Sequence, residues 1–189
     1  CALPIFQKYD SPPGSKYAYL DYILMRTSAD EGATWSEPTY VVPKDKPGYR
    51  VLNNDRVVQL KGGRLVVPLA VHYLPGWSRW ESSAQMVCYL SDDAGKTWRP
   101  SKGTLRSELL AQEPGVVQLK DDGLLMFCRS RDCQLVSRSN DGGETWSALK
   151  RSKFRNRQPR LLRLNGFPQR RTEQRRVGKE CRSRVSPYH

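Results

Sequence analysis

Glu113 and Arg129 are the residues whose types and spacing first suggest chemistry in this 189-residue sequence. They stand 16 residues apart, about the span of two paired strands and a turn, so both ends could face one rim. A carboxylate can move a proton, and the planar fork of an arginine binds a carboxylate through two parallel hydrogen bonds. Arg56 stands before another strand–turn–strand stretch, and Arg131 shares an Arg-Ser-Arg-Asp run with Arg129. His72, Asp55 and Glu81 fall at the far ends of strands or in the loop from Tyr73 to Ser83, as candidates for acid/base work or ligand contact. Trp77 and Trp80 in that loop could stack on a flat ligand face. Each has a plainer reading. Glu113 can be a solvent-facing strand start before Pro114, Arg129 and Arg131 can be surface arginines, and loop tryptophans can simply cover a core.

Metal chemistry is disfavoured. Of the five cysteines (Cys1, Cys88, Cys128, Cys133 and Cys181) none forms a CxxC pair, and His72 and His189 are the only histidines. Cys88 and Cys128 sit in apolar runs and read as buried thiols. No metal and no cofactor is expected. The net charge of +13 invites a nucleic-acid reading, but it is concentrated after residue 150, where eleven Arg and two Lys face only Glu173 and Glu180. The body is nearly neutral, so no nucleic-acid partner is expected. No apolar run approaches the roughly 20 residues of a membrane helix, so no membrane span is expected either.

The elements that must position these residues come from a repeat. Ser28-Ala-Asp30-Glu-Gly32-Ala-Thr34-Trp35, Ser91-Asp-Asp93-Ala-Gly95-Lys-Thr97-Trp98 and Ser139-Asn-Asp141-Gly-Gly143-Glu-Thr145-Trp146 all read S-x-D-x-G-x-T-W. Before the second and third copies run two similar hairpins, Val57–Lys61 with Arg64–Val67 and Val116–Lys120 with Leu124–Phe127, each around a glycine-containing turn. A further apolar strand precedes each copy. A unit of hairpin, strand, box and strand fits a propeller blade. Helical periodicity is absent.

Within the box, Asp30, Asp93 and Asp141 are expected to accept backbone N–H groups two or three residues on. Gly32, Gly95 and Gly143 supply positive φ, and Trp35, Trp98 and Trp146 pin the turn to its blade. All of these roles are structural.

The boxes, with Asn53–Lys61 and Gln112–Lys120, resemble the sialidase (neuraminidase) superfamily, and most closely bacterial exo-α-sialidase-like proteins. The resemblance runs from about Tyr17 to Phe154. It implies an all-β, six-bladed β-propeller of which about three blades are present, and an enzyme that removes terminal sialic acid from glycoconjugates. Family members use an arginine triad for the substrate carboxylate and a Tyr nucleophile activated by a Glu. By resemblance Glu113 is the activating Glu, Arg129 the second triad arginine with Arg131 as fallback, and Arg56 a further carboxylate ligand. The family's usual Arg-Ile-Pro is absent at Arg56-Val-Val. The nucleophile and third arginine are expected outside this chain, which should therefore be inactive alone. The implied partner is a sialylated glycan or other acidic sugar, and the implied setting is a secreted or periplasmic bacterial protein. The alternatives are another propeller glycosidase or lyase on acidic sugars, or a non-catalytic propeller that binds glycan or protein.

The expected organisation is a partial propeller over 1–154 and a basic tail over 155–189. The tail departs from the family pattern, and Arg175–His189 resembles a translated sequencing-adapter read-through; a disordered basic tail is the competing reading. A start at Cys1, with no charged-then-apolar leader, suggests a piece of something longer.

Overall fold

The computed structural model describes residues 5–10, 20–53, 56–131 and 133–155. Asp55, Cys1, Cys181 and the basic tail after Arg155 lie outside the described residues. The described residues belong to one compact unit, Cys1–Arg157, and every regular element in them is a β-strand.

Three antiparallel sheets follow one another along the chain, each formed from sequence neighbours. The first contains β1 (Ile5–Asp10), β2 (Leu20–Met25) and β3 (Thr39–Tyr40). The second runs β4 (Tyr49–Val51), β6 (Leu65–Tyr73), β7 (Gln85–Ser91) and β8 (Arg99–Pro100), with β5 (Val58–Gln59) also paired to β6. The third runs β9 (Gln112–Gln118), β10 (Leu124–Arg129), β11 (Cys133–Ser139) and β12 (Lys150–Arg155). This is the propeller arrangement, with the hairpin, strand, box and strand of the repeat unit seen complete in the third blade. The three sheets are consecutive blades of a partial β-propeller ring.

Strand direction separates two ends of each blade. In the third, Leu124 pairs with Ser139 at one end of β10, and Arg129 with Gln134 at the other. At about 3.4 Å per residue those ends lie roughly 17 Å apart. The boxes follow β2, β7 and β11, so all three occupy the first end. The second end carries Glu113, Arg129, His72 and the loop after β6.

Each box is closed by its own residues. Oδ1 of Asp30, Asp93 and Asp141 accepts the backbone N–H of Thr34, Thr97 and Thr145 at 2.8, 2.9 and 3.0 Å, and Oδ2 accepts the same threonine's hydroxyl. The main reach runs to four residues, one beyond the two or three expected, with the serine hydroxyl serving the intervening glycine amide; at Asp93 and Asp141 the backbone N–H three residues on, of Lys96 and Glu144, contributes as well. The Ser28, Ser91 and Ser139 hydroxyls take the N–H of Gly32, Gly95 and Gly143, and donate to the aspartate. The residue before each glycine is also left-handed: Glu31, Ala94 and Gly142 have φ of 56°, 59° and 69°. The Thr34 and Thr97 contacts hold Asp30 and Asp93 at about 2; at Asp141 partial burial pushes up, and the Thr145 and Ser139 bonds outweigh it to give about 2.

The boxes also dock blade on blade. A Cβ on Gly95 would press on the Met25 Cε of the first blade at 2.0 Å, and one on Gly143 would stand 3.2 Å from Leu90 Cδ2 of the second, so the positive φ of each box glycine comes with close packing against the neighbouring blade. Trp98 packs against the apolar cluster between blades one and two, and Trp146 against that between blades two and three. Each indole donates to its box glycine's carbonyl, at 3.1 and 3.0 Å. Trp35 is 39% exposed, because no described blade precedes the first. Arg64 and Arg99 meet Asp92 and Glu144 in a four-residue ion network across blades two and three. The Arg64 and Arg99 guanidinium groups hold Asp92 below the usual carboxylate range, and Arg99 does the same for Glu144.

One irregularity positions a candidate. Pro68 is central in β6 and pairs with Cys88. The Cys88 N–H and carbonyl turn the other way, to Ser101, so the Pro68 backbone faces the inner edge of the blade. Proline offers no N–H there. The inner strand is broken opposite it: β4 pairs no further down than Ala70, and β5 begins at Val66. Leu52, Asn53, Arg56 and Val57 lie outside the strands at this gap, so Arg56 is not held in the sheet.

Candidate active site at the loop end of the third blade

Glu113 and Arg129 are in direct contact. Arg129 Nη2 donates to Glu113 Oε1 at 2.8 Å and to Gln112 Oε1. The register shows why. Phe127 pairs with Gly115 and Arg129 with Gln112, so Glu113 and Pro114 together oppose Cys128 alone. This bulge turns the strand and re-aims the Glu113 side chain toward Arg129. Glu113 sits at φ 49°, a left-handed conformation that costs a non-glycine residue about 1–2 kcal/mol. Backbone strain of this kind concentrates at functional sites. The pair remains reachable, since Arg129 is 50% and Glu113 36% exposed. An exposed ion pair adds little stability.

Arg56 reaches the same face of the blade. Its guanidinium lies 5.5 Å from the Phe127 ring centroid. Phe127 and Arg129 are two residues apart on one strand, so their side chains share a face. The approach depends on Gly115, where an added Cβ would stand 2.2 Å from Arg56 Nη1 and 2.7 Å from the Phe127 ring.

His72 is buried at the top of β6. Its Nδ1 lies 2.7 Å from the Glu81 carbonyl; a carbonyl only accepts, so Nδ1 carries the proton. Burial pushes the imidazole below its ordinary value, opposed by the Glu81 bond, while Arg129 pushes it further down and Glu113 pushes it up. His72 is thus a neutral strut within electrostatic reach of the pair. The Trp80 ring stacks on it at 4.8 Å and 5°, with Tyr49 edge-on. The Glu81 side chain accepts from Arg79 at 3.4 Å. Trp77 lies against Arg106 and the core between blades one and two, the plainer of its two readings.

The sequence candidates therefore divide. Glu113 and Arg129 bond directly, Arg56 shares their face, and His72 senses both charges. Arg131 lines a separate cavity. Gln112 was missed: its Oε1 accepts from Arg129, and its Nε2 donates to the Ser82 carbonyl at 2.9 Å, tying the loop after β6 to the pair. Only its place beside Glu113 hinted at this. Also missed was a buried ion pair, Asp21 with Arg50 at 2.8 Å, that joins blades one and two near this end. Both partners sit inside short unremarkable runs.

Cys88, Cys128 and Cys133 are buried free thiols; burial pushes Cys128 up to about 12 and Cys88 higher. Among the described residues no group of three or more His, Cys, Asp or Glu is placed to hold a metal ion. No helix among them is long and apolar enough to cross a membrane.

Comparison with known proteins agrees with this architecture. The anhydrosialidase of Macrobdella decora is 33% identical over 135 residues, which cover 67% of this chain and 16% of that protein. The leech intramolecular trans-sialidase in complex with 2,7-anhydro-Neu5Ac superposes with a TM-score of 0.55 at 29% identity, over 71% of this chain and 19% of that one. The NanB sialidase of Streptococcus pneumoniae gives 0.55 at 26% identity, over 70% and 19%. The chain thus spans less than a fifth of the length of these relatives. The family described as BNR repeat-like domain matches residues 3–166, and this chain belongs to it, as a sialidase-like BNR-repeat protein.

Proposed function

We propose that this chain is part of a sialidase-type glycoside hydrolase that removes terminal sialic acid from glycoconjugates. The observation that carries the reading is the Glu113–Arg129 contact, held by a strained bulge at the loop end of the third blade. Arg129 binds the substrate carboxylate through the part of its fork open to solvent, and Arg56 approaches the same anion from across Gly115. Glu113, beside Arg129, takes the proton of a Tyr nucleophile supplied by sequence beyond this chain. A phenol avoids the repulsion that a carboxylate nucleophile would meet near an anionic sugar, and Tyr nucleophiles are the recognised departure from the two-carboxylate scheme. His72 holds Trp80 and the Glu81 backbone in place. Glu81 and Asp55 are the acid/base candidates on this chain. Arg131 stands outside this site.

The test is fluorogenic sialoside hydrolysis by the complete protein that carries this chain, beside its Arg129→Ala variant. Turnover that the substitution lowers about 100- to 1000-fold, the scale for losing one charge-stabilising donor, supports the reading. A folded protein without turnover points instead to another acidic sugar or to a binding propeller. Residues 1–150 alone should show no turnover, since three blades do not close a ring. A second reading concerns the product. Two of the relatives above are named anhydrosialidase and intramolecular trans-sialidase, which favours release of an anhydro-sugar over water attack. Product analysis for free sialic acid against the 2,7-anhydro form separates the two.

A further inference from the structure

We infer that Gln112 sets the affinity of Arg129 for the substrate carboxylate: it holds a hydrogen of the arginine fork that the carboxylate needs, and gives it up when the carboxylate binds. This rests on the reading of Arg129 as the ligand of that carboxylate. A guanidinium grips a carboxylate through two parallel bonds along either of two edges, one formed by Nε and Nη2 and the other by Nη1 and Nη2. Both edges use Nη2. Arg129 Nη2 has two hydrogens and donates to two acceptors, Gln112 Oε1 and, at 2.8 Å, Glu113 Oε1. Nε and Nη1 of Arg129 make no hydrogen bond among the described residues. Each edge therefore offers one open donor and one already given away. A carboxylate that binds through two bonds must displace Gln112 or Glu113.

The two occupants differ in their hold. Glu113 is an anion, so its bond to the guanidinium is charged on both sides, whereas Gln112 offers a neutral amide oxygen. An incoming carboxylate outcompetes the amide and not the glutamate, so Gln112 is the group that leaves. Its other end keeps it close. Gln112 Nε2 donates to the Ser82 carbonyl at 2.9 Å, so the amide can release Arg129 without losing its anchor on the loop after β6. Gln112 and Arg129 are register partners of β9 and β10, which brings the amide back to the guanidinium when the anion departs. Gln112 is thus a positioning residue: it holds the fork in the empty site and tunes how tightly the filled site binds. Arg129 is half exposed, so added salt shrinks the effect.

The test is an NMR titration of the complete protein with sialic acid, beside the sialic acid methyl ester, which keeps the sugar and loses the anion. Gln112→Leu removes the competitor and should tighten sialic acid binding about fivefold, the weight of one neutral hydrogen bond. Gln112→Glu keeps the side chain's size but makes the competitor an anion, and should weaken binding about tenfold. The ester should respond to neither. Opposite shifts are the signature of exchange, because a residue that only props up the bulge would weaken binding in both variants. Weakening in both, or no change in either, overturns the inference; if Arg129→Ala still abolishes sialic acid binding, the sialidase reading survives it. Sialic acid binding that Arg129→Ala leaves unchanged, or no binding by the folded protein, overturns both.

Discussion

The two ends of the third blade are built on opposite principles. At the box end, Ser139, Asp141, Gly143 and Thr145 satisfy one another within a few residues, and the same geometry recurs in both other blades. At the other end, Glu113, Arg129, Gln112 and Ser82 meet from a bulge, a strand end and a loop of the neighbouring blade, and among the described residues nothing there recurs. A closed local network spends its polar groups internally and has none to offer a ligand. An open one leaves half a guanidinium in solvent and keeps a glutamate in a costly conformation. The difference fits architecture at one end and, on the function proposed above, chemistry at the other.

The largest expected effect breaks the comparison from the open side. Arg129→Ala should lower turnover about 100- to 1000-fold and leave thermal stability nearly unchanged, because an exposed pair contributes at most about 1 kcal/mol. A matching collapse in stability would make Arg129 a structural residue. The converse comes from the closed side. Asp141→Ala removes an acceptor of three hydrogen bonds in a cap-like turn and should cost about 1–2 kcal/mol at neutral pH. The folded carboxyl sits at about 2, below its ordinary value near 4, so its contribution is present above about pH 4 and lost as pH falls through 2. Denaturant melts of Asp141→Ala and the parent should therefore diverge at neutral pH and converge in acid. Divergence that persists at low pH would mean that shape, not charge, holds the box.

A smaller effect sharpens the contrast within the bulge. Glycine tolerates the φ of 49° at position 113 without strain, so Glu113→Gly should change stability by no more than about 1 kcal/mol in either direction while abolishing turnover. The relief of strain offsets the lost ion pair and the added chain entropy. A fall of many degrees in Tm would show that Glu113 holds the bulge rather than serving a ligand.

How far the sequence spoke follows the same division. The boxes were legible because their partners are four residues apart and repeat, although the reach of the aspartate was understated and the second left-handed position unforeseen. Glu113 and Arg129 were legible as a pair through hairpin spacing, but the bulge that joins them depends on register. Arg56 was legible as a candidate, yet its route across Gly115 follows from a gap opposite Pro68 in a different strand. Gln112 left only the hint of its place beside Glu113, and the Asp21–Arg50 pair left none, since each meets its partners only after the strands and blades pack. Arg129 and Arg131 looked interchangeable in one short run; a strand end and a turn send them to separate places.

The smallest effect asks whether the loop after β6 and the Glu113–Arg129 pair form one electrostatic unit. His72 and His189 are the only histidines, so ring resonances can be followed through a pH titration with little overlap. Burial holds His72 below its ordinary value, near 6.5, so the folded state resists its protonation. Stability tied to this group is therefore full above that value and declines as pH falls below it, because the unfolded chain takes the proton more readily. Arg129 adds to the depression and Glu113 opposes it. Arg129→Ala should thus move the His72 midpoint up, and Glu113→Gln should move it down, by amounts that shrink with added salt. Opposite shifts would tie the loop that carries Trp80 and Glu81 to the charges at the candidate site. No shift in either variant would separate them, and would leave His72 as a buried strut whose titration answers to burial alone.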